Sequence, residues 1–269
     1  MERKKEGGRM KKKVLTIGGS DPFAGGGIQT DLKTFENHQQ FGLSVLTSIV
    51  TSNEGQFEIH SLTHELLDQQ LLSLDEVTLA AIKIGLLTEL NHIKQVKEFL
   101  EAHPAIPVIF DPVLVMKESN TLRNHALIEA FMTDLAPLAT VMTPNLDEAD
   151  QLAKQSITNK ETLTKAAKKL SQLSGGAVVI KGGSRLAGPD AIDCLAIGEK
   201  VTYFQRAKQT NQFENGAGCA FSASLAAQLA DEVPLEQAVR QAKEYVYQGI
   251  QTGIEVAPNF GSFWHRSSI

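Results

Sequence analysis

Short apolar runs alternate with amphipathic segments along the whole chain, the pattern of a mostly parallel sheet joined by crossover helices. Val14, Leu15, Thr16 and Ile17 predict a first strand that ends in Gly18-Gly19. Ile28, Leu32 and Phe35 then recur at helical spacing, so a helix is expected from Ile28 to about His38. Residues 43–51 are rich in β-branched side chains and predict the second strand. Further strands are expected at 80–86, 108–110, 140–142 and 178–180, most of them followed by a helix. Residues 191–197 and 200–205, hinged about Gly198-Glu199, predict a β-hairpin at a sheet edge. Two helices, 217–230 and 235–252, are expected to close the chain, the second introduced by Pro234. No internal repeat, low-complexity tract or linker interrupts this order, so residues 13–269 are expected to form one domain behind a leader at 1–12.

Composition narrows the class. At 269 residues, 42% hydrophobic and 21% charged, the chain suits one large α/β domain with a sizeable core. A net charge of −5 argues against nucleic acid as a partner, since a duplex binder carries a basic stripe. The early basic residues Arg3, Lys4, Lys5 and Arg9 flank no long apolar run and read as a solvated leader, with Met10 as an alternative start. No secretory signal and no apolar segment of about 18 residues is present, so a cytosolic protein with no membrane partner is expected. Cys194 and Cys219 lack C-x-x-C spacing and support neither a disulfide framework nor a zinc site.

In open α/β sheets the ligand crevice lies beyond the carboxyl ends of the strands, and the unusual polar clusters of this chain fall there. The most informative is Asn215-Gly216-Ala217-Gly218-Cys219, leading into a small-residue helix. A helix start offers unpaired N–H groups and partial positive charge, so Gly216, Ala217 and Gly218 form a candidate anion hole for phosphate. Cys219 at the same end is expected to have its thiolate favoured relative to a free thiol of pKa about 8.5, making it a candidate base or nucleophile. The bland alternative is a small buried cysteine beside a helix cap. Five glycines within residues 18–27 exceed what a tight turn needs and suit backbone approaching a flat ligand, with Asp31 placed to meet a ring substituent. The stretch lacks the Gly-Lys-Ser/Thr ending of a P-loop. Asp111, directly after strand 108–110, can hold magnesium through its water shell or serve as a turn residue before Pro112. Asn145 with Glu148 three residues on reads equally as a capping box. Lys181, before Gly182-Gly183, puts an ammonium where a polyphosphate can lie. Together, a phosphate hole, a candidate base, two carboxylates for Mg²⁺ and a lysine describe phosphoryl transfer from a nucleotide.

The series Gly18-Gly19-Ser20-Asp21-Pro22, Gly25-Gly26-Gly27-Ile28-Gln29-Thr30-Asp31, Lys83-Ile84-Gly85, Asp111-Pro112-Val113, Thr143-Pro144-Asn145-Leu146-Asp147-Glu148, Lys181-Gly182-Gly183 and Gly216-Ala217-Gly218-Cys219 resembles the hydroxymethylpyrimidine kinase and pyridoxal kinase group of the ribokinase-like superfamily. The likeness runs from residue 13 to about 255. It implies a ribokinase-like α/β fold, a mostly parallel central sheet with helices on both faces, and an ATP- and Mg²⁺-dependent kinase acting on a hydroxymethyl group of a pyridine or pyrimidine. It implies ring binding at Gly19, Asp31, Ser52, Leu86 and Val113, with ATP and Mg²⁺ at Asp111, Asn145, Glu148, Lys181 and Asp193. Relatives of this kind are commonly homodimers. Cys219 stands where sugar kinases of the superfamily carry Asp, and in related pyridoxal kinases the cysteine adds to the substrate aldehyde. Three departures stand out. Ser52 replaces the Gln of typical hydroxymethylpyrimidine kinases, which tilts the expected substrate toward vitamin B6 and leaves hydroxymethylpyrimidine as the alternative. Met116 replaces the second cysteine of dual-specificity relatives, and Glu214-Asn215 replaces the usual Thr-His before the glycines. A degenerate, ligand-sensing kinase and a sugar kinase are the competing classes.

Overall fold

The structure, a computed structural model, describes residues 11–53, 56–114, 125–210 and 213–265. Met116 and the basic residues before Lys11 lie outside them. The first strand, β1 (Lys13–Ser20), is followed by α1 (Gly27–Asn37), β2 (Phe41–Asn53) and β3 (Gln56–Ser61). Next come α2 (His64–Leu72), β4 (Ala81–Ile84), α3 (Leu90–Glu101), β5 (Val108–Phe110) and α4 (His125–Ala130). The middle of the chain forms β6 (Val141–Met142), α5 (Leu146–Ala153), α6 (Lys160–Ser174) and β7 (Ala177–Lys181). The chain then makes β8 (Asp190–Ile197), β9 (Lys200–Ala207), α7 (Ala217–Ala230), α8 (Leu235–Gln251), β10 (Ile254–Ala257) and β11 (Phe260–Ser262).

The central sheet runs β3-β2-β1-β4-β5-β6-β7-β8-β9. Strands β2, β1, β4, β5, β6 and β7 are mutually parallel, while β3 and the hairpin β8–β9 pair antiparallel at the two edges. Burial explains the parallel centre: β1, β4, β5 and β6 are apolar on both faces, as strands covered by helices on both sides must be. One apolar layer packs under α2 to α6, and the other under α1, α7 and α8. Helix α7 is buried nearly all round by Ala220, Ala223, Ala226 and Ala227, whose small side chains let it lie close against the sheet.

Strand order places the site. From β1 the chain turns one way to β2 and the other way to β4, so the connections diverge above the carboxyl ends of β1 and β4. Such a switch point opens a crevice. The expected strands and helices are all present, with three differences. Gly18 and Gly19 belong to β1 instead of ending it, because they keep pairing with β2 across a register shift. Strand β3, on which the sequence reading is silent, doubles β2 back over the crevice. The chain does not close on helices, since the hairpin β10–β11 follows α8.

Candidate active site

A cavity of about 610 Å³ occupies the switch point. One wall is the glycine-rich turn between β1 and α1. Here a Cβ on Gly19 would lie 2.8 Å from Ser48 Oγ, and one on Gly27, whose φ is +62°, would lie 2.3 Å from the Gly19 carbonyl oxygen. Only glycine fits there. The turn is tied down locally: Gln29 accepts from the Asp21 N–H at 3.0 Å and donates to Ser20 Oγ at 2.7 Å, while Thr30 Oγ1 donates to the Ala24 carbonyl. Above it, Phe23, Phe57 and Phe260 form an aromatic group with centroid separations of 5.3 to 6.2 Å. With Val50, Leu86 and Val113, the rings of Phe57 and Phe260 make this end of the cavity apolar, suited to a flat heterocycle.

At the centre stands the start of α7. Gly216 takes the left-handed conformation, φ 86°, and caps the helix without a side chain. The first-turn N–H groups of Gly218 and Cys219 have no intrahelical acceptor and face the cavity. Cys219 Sγ lies close to the glycine-rich turn, since a Cβ on Gly26 would sit 3.7 Å from it. Burial pushes the Cys219 thiol up to about 11, with Lys83 pulling it down and the Asp111 and Asp31 carboxylates adding to the rise. This reverses the expectation of a favoured thiolate, because the desolvation of the sulfur outweighs the pull of Lys83.

Three buried Lys–Asp pairs surround this centre. Lys83 of β4 meets Asp31 Oδ2 at 2.8 Å, Lys181 of β7 meets Asp111 Oδ1 at 2.7 Å, and Lys243 of α8 meets Asp193 Oδ2 at 2.8 Å. Each carboxylate accepts a second bond from a neighbour. Thr16 Oγ1 donates to Asp31 at 2.6 Å, Ser222 Oγ to Asp111 at 2.9 Å, and the Gly182 N–H to Asp193 at 3.1 Å. Burial pulls Lys83 and Lys181 down, but the neighbouring carboxylates outweigh it and hold both ammonium groups above their ordinary range. Lys181 Nζ sits 3.4 Å from where a Cβ on Gly218 would be, at the lip of the anion hole.

Asn145 and Glu148 form the capping box. Glu148 N–H donates to Asn145 Oδ1 at 3.0 Å and Asn145 N–H donates to Glu148 Oε2 at 2.7 Å. The second Glu148 oxygen has no hydrogen bond among the described residues, and burial lifts this carboxyl well above the usual range against the pull of Lys181. Arg185 bonds Asn145 and pairs with Asp147 at the cavity edge.

The family model of phosphomethylpyrimidine kinase matches residues 21–264. The chain belongs to that family. It is therefore a phosphotransferase with an alcohol acceptor, and the ribokinase-like architecture expected from the motifs is the one observed. The hydroxymethylpyrimidine/phosphomethylpyrimidine kinase of Staphylococcus aureus (strain MRSA252) is 35% identical over 257 residues, which cover 94% of this chain and 93% of the relative. The pyridoxine kinase of Bacillus subtilis (strain 168) is 33% identical over 260 residues, 95% and 96% of the two chains. The pyridoxal kinase of Staphylococcus aureus, solved with AMP-PCP and pyridoxal, matches with a TM-score of 0.89 at 34% identity, over 96% of this chain and 94% of that one.

Of the residues singled out in the sequence of this family member, Gly19, Leu86, Val113, Asp111, Asn145, Glu148, Lys181, Gly216, Ala217, Gly218 and Cys219 all line the one cavity. Asp31 also borders the cavity, fully buried and paired with Lys83, which lines it too. Asp193 borders the cavity with both oxygens engaged, one by the Gly182 N–H and one by Lys243. Ser52 does not line the cavity; Val50 and, across the hairpin, Phe57 do. Lys83, which the sequence reading places in a motif without giving it a role, and Lys243, which it does not single out, also line the cavity; each is a lysine inside an otherwise buried apolar face, an anomaly visible in the sequence. Phe260 carries no such local signal. Among the described residues no helix is long and apolar enough to cross a membrane.

Proposed function

We propose that this kinase transfers the γ-phosphoryl group of ATP to the hydroxymethyl group of a B6 vitamer, pyridoxal, pyridoxine or pyridoxamine. The observation that carries the reading is the position of Cys219. It heads α7 between an apolar, aromatic chamber and a row of phosphate-seeking groups, so a ring in the chamber presents its hydroxymethyl arm to the thiol. Cys219 takes the hydroxyl proton as the phosphoryl group arrives. The N–H groups of Gly218 and Cys219, with Lys181 beside them, meet the charge that develops on the transferring oxygens. The triphosphate follows Lys181 toward Gly182, Asn145 and Lys243.

Mg²⁺ fits the donors present. Asp111 and Glu148 are hard carboxylates on one side of the cavity, and no cluster of three or more His, Cys, Asp or Glu suited to a metal exists among the described residues. That is the habit of Mg²⁺, which keeps several waters and uses one or two carboxylates plus substrate phosphates. Both Asp111 oxygens already accept protein hydrogen bonds, so it would hold the ion through water. When bound, the ion neutralises charge on the β- and γ-phosphates.

The B6 reading is supported by the pyridoxal bound to the S. aureus structural relative and by Ser52, which offers no side-chain amide for a pyrimidine amino group. The second reading, a hydroxymethylpyrimidine kinase, is favoured by the name of the 35% identical relative. Steady-state kcat/KM with ATP against pyridoxal, pyridoxine and hydroxymethylpyrimidine separates them. The B6 reading expects the vitamers to lead and Ser52→Gln, whose longer side chain reaches toward the chamber from beside Phe57, to shift the ratio toward the pyrimidine. A wild-type preference for the pyrimidine, untouched by Ser52→Gln, overturns it.

A further inference from the structure

Lys83 has no assigned task in the reaction as described so far, yet its placement is costly. It sits in the middle of the apolar strand β4 and is 1% exposed, and a lone charge there would be strongly unfavourable. Asp31 beneath it supplies the counter-charge at 2.8 Å, itself braced by Thr16. An ammonium has three donors, and among the described residues Lys83 uses one, for Asp31. Lys83 and Cys219 both line the cavity. A Cβ on Gly85 would lie 3.0 Å from Lys83 Nζ, and one on Gly26 would lie 3.7 Å from Cys219 Sγ, so two bare glycine positions leave ammonium and sulfur facing the same space. The other cation near Cys219, Lys181, is already committed to Asp111 and the Gly218 carbonyl.

We propose that Lys83, held by Asp31, is the positioning residue that compensates the negative charge of the Cys219 thiolate, formed when the thiol loses its proton to solvent and discharged when the thiolate accepts the proton of the hydroxymethyl group. The pair then behaves as a fixed dipole with its positive end toward the sulfur. The charges around the thiol are Lys83 from β4, Asp111 at the end of β5, Asp31 from α1 and Lys181 from β7, and of these Lys83 has the strongest effect on it. Asp111 and then Asp31 oppose it more weakly. Because the same carboxylates hold Lys83 above its ordinary range, its charge stays constant while the thiol titrates. The inference rests on Cys219 acting as the base, but its test does not need turnover.

The test is the pH dependence of Cys219 alkylation by iodoacetamide in the full-length protein, read by peptide mapping. Cys194, fully buried in β8 and pushed up to about 12 by that burial, is the internal monitor, because its alkylation reports unfolding. Lys83→Met is compared with wild type, and Asp31→Asn/Lys83→Met, which removes both charges of the pair, provides a second variant should the single one fail to fold. The expected result is a Cys219 alkylation rate at pH 8 at least five-fold lower in either variant, with the titration moved to higher pH and Cys194 still protected. Lys83→Arg should recover part of the rate. An unchanged Cys219 profile in a folded variant overturns the proposal and leaves the pair structural. Loss of turnover in Cys219→Ala is a separate result, so failure of the base assignment and failure of the Lys83 assignment are told apart.

Discussion

On the proposed mechanism, replacing Cys219 by alanine removes the group that takes the acceptor proton, and the surroundings of the thiol set the pH signature of the loss. With the thiol pushed up to about 11 by burial, the thiolate is the minor form at about pH 7.5, and each pH unit raises its share about tenfold. Because the folded value is raised, the basic form is scarce at low pH and fills in as pH climbs. Wild-type kcat/KM for the acceptor should therefore rise about tenfold per unit from pH 7 to 9. General-base help is worth ~10²–10⁴ in rate. Cys219→Ala should lose that factor in kcat, keep its affinity for ATP and show a flat profile, while Cys194→Ala, opposite Ile180 in the sheet, should behave as wild type. ADP release followed in a coupled assay across this pH range is sufficient. A flat wild-type profile, or a Cys219→Ala variant with undiminished kcat, would remove the thiol from the mechanism.

Chelation should abolish activity and Mg²⁺ restore it, and Asp111→Asn or Glu148→Gln should raise the Mg²⁺ concentration for half-maximal rate. If both variants keep the wild-type dependence, the carboxylates serve only Lys181 and the capping box. Gly25→Ala should raise KM for the acceptor several-fold, because the added Cβ falls 2.6 Å from the Phe260 ring. Pairing it with Phe260→Ala should return part of the loss, and no recovery would mean that the strain lies in the turn itself. Lys243→Ala leaves Asp193 buried without its counter-charge and should cost about 3–5 kcal/mol of stability by denaturant unfolding. A cost below about 1 kcal/mol would show Asp193 already satisfied by the Gly182 N–H.

The fold was legible where the code is local. Continuous apolar runs for buried parallel strands, Asn145 with Glu148 for a helix start and Gly198 for the edge hairpin are all signals within a few residues, and each marks the element observed. The two missed pieces, β3 and β10–β11, owe their position to partners distant in sequence. Phe57 and Phe260 meet Phe23 across the cavity mouth, a contact no local pattern announces. The site divides in the same way. Strand ends marked by Asp111, Lys181 and the Gly216–Gly218 turn were readable because topology alone gathers them. The state of Cys219 was not, since the helix start that favours its thiolate is visible in the sequence while the burial that opposes it is a property of the packed chain.

The lysine–carboxylate pairs explain how a site so rich in charge is held inside an apolar sheet before any ligand arrives. A buried pair returns little stability, since desolvating two ions about cancels their attraction. What it does fix is position. Asp31, Asp111 and Asp193 come from three different elements, and each accepts a second bond from a hydroxyl or an N–H, on the oxygen away from its lysine in Asp111 and Asp193 and on the shared Oδ2 in Asp31. The three ammonium groups are thus set around the cavity with little freedom left to lose when a polyphosphate enters. Charge held ready in this way costs no reorganisation at the moment of transfer, which is where preorganised electrostatics lowers a barrier. The high thiol of Cys219 has a different origin. Burial of the sulfur disfavours its charged form more than Lys83 favours it, and an arriving phosphate would disfavour it further, which is why cations fixed beside the sulfur matter to a thiolate base.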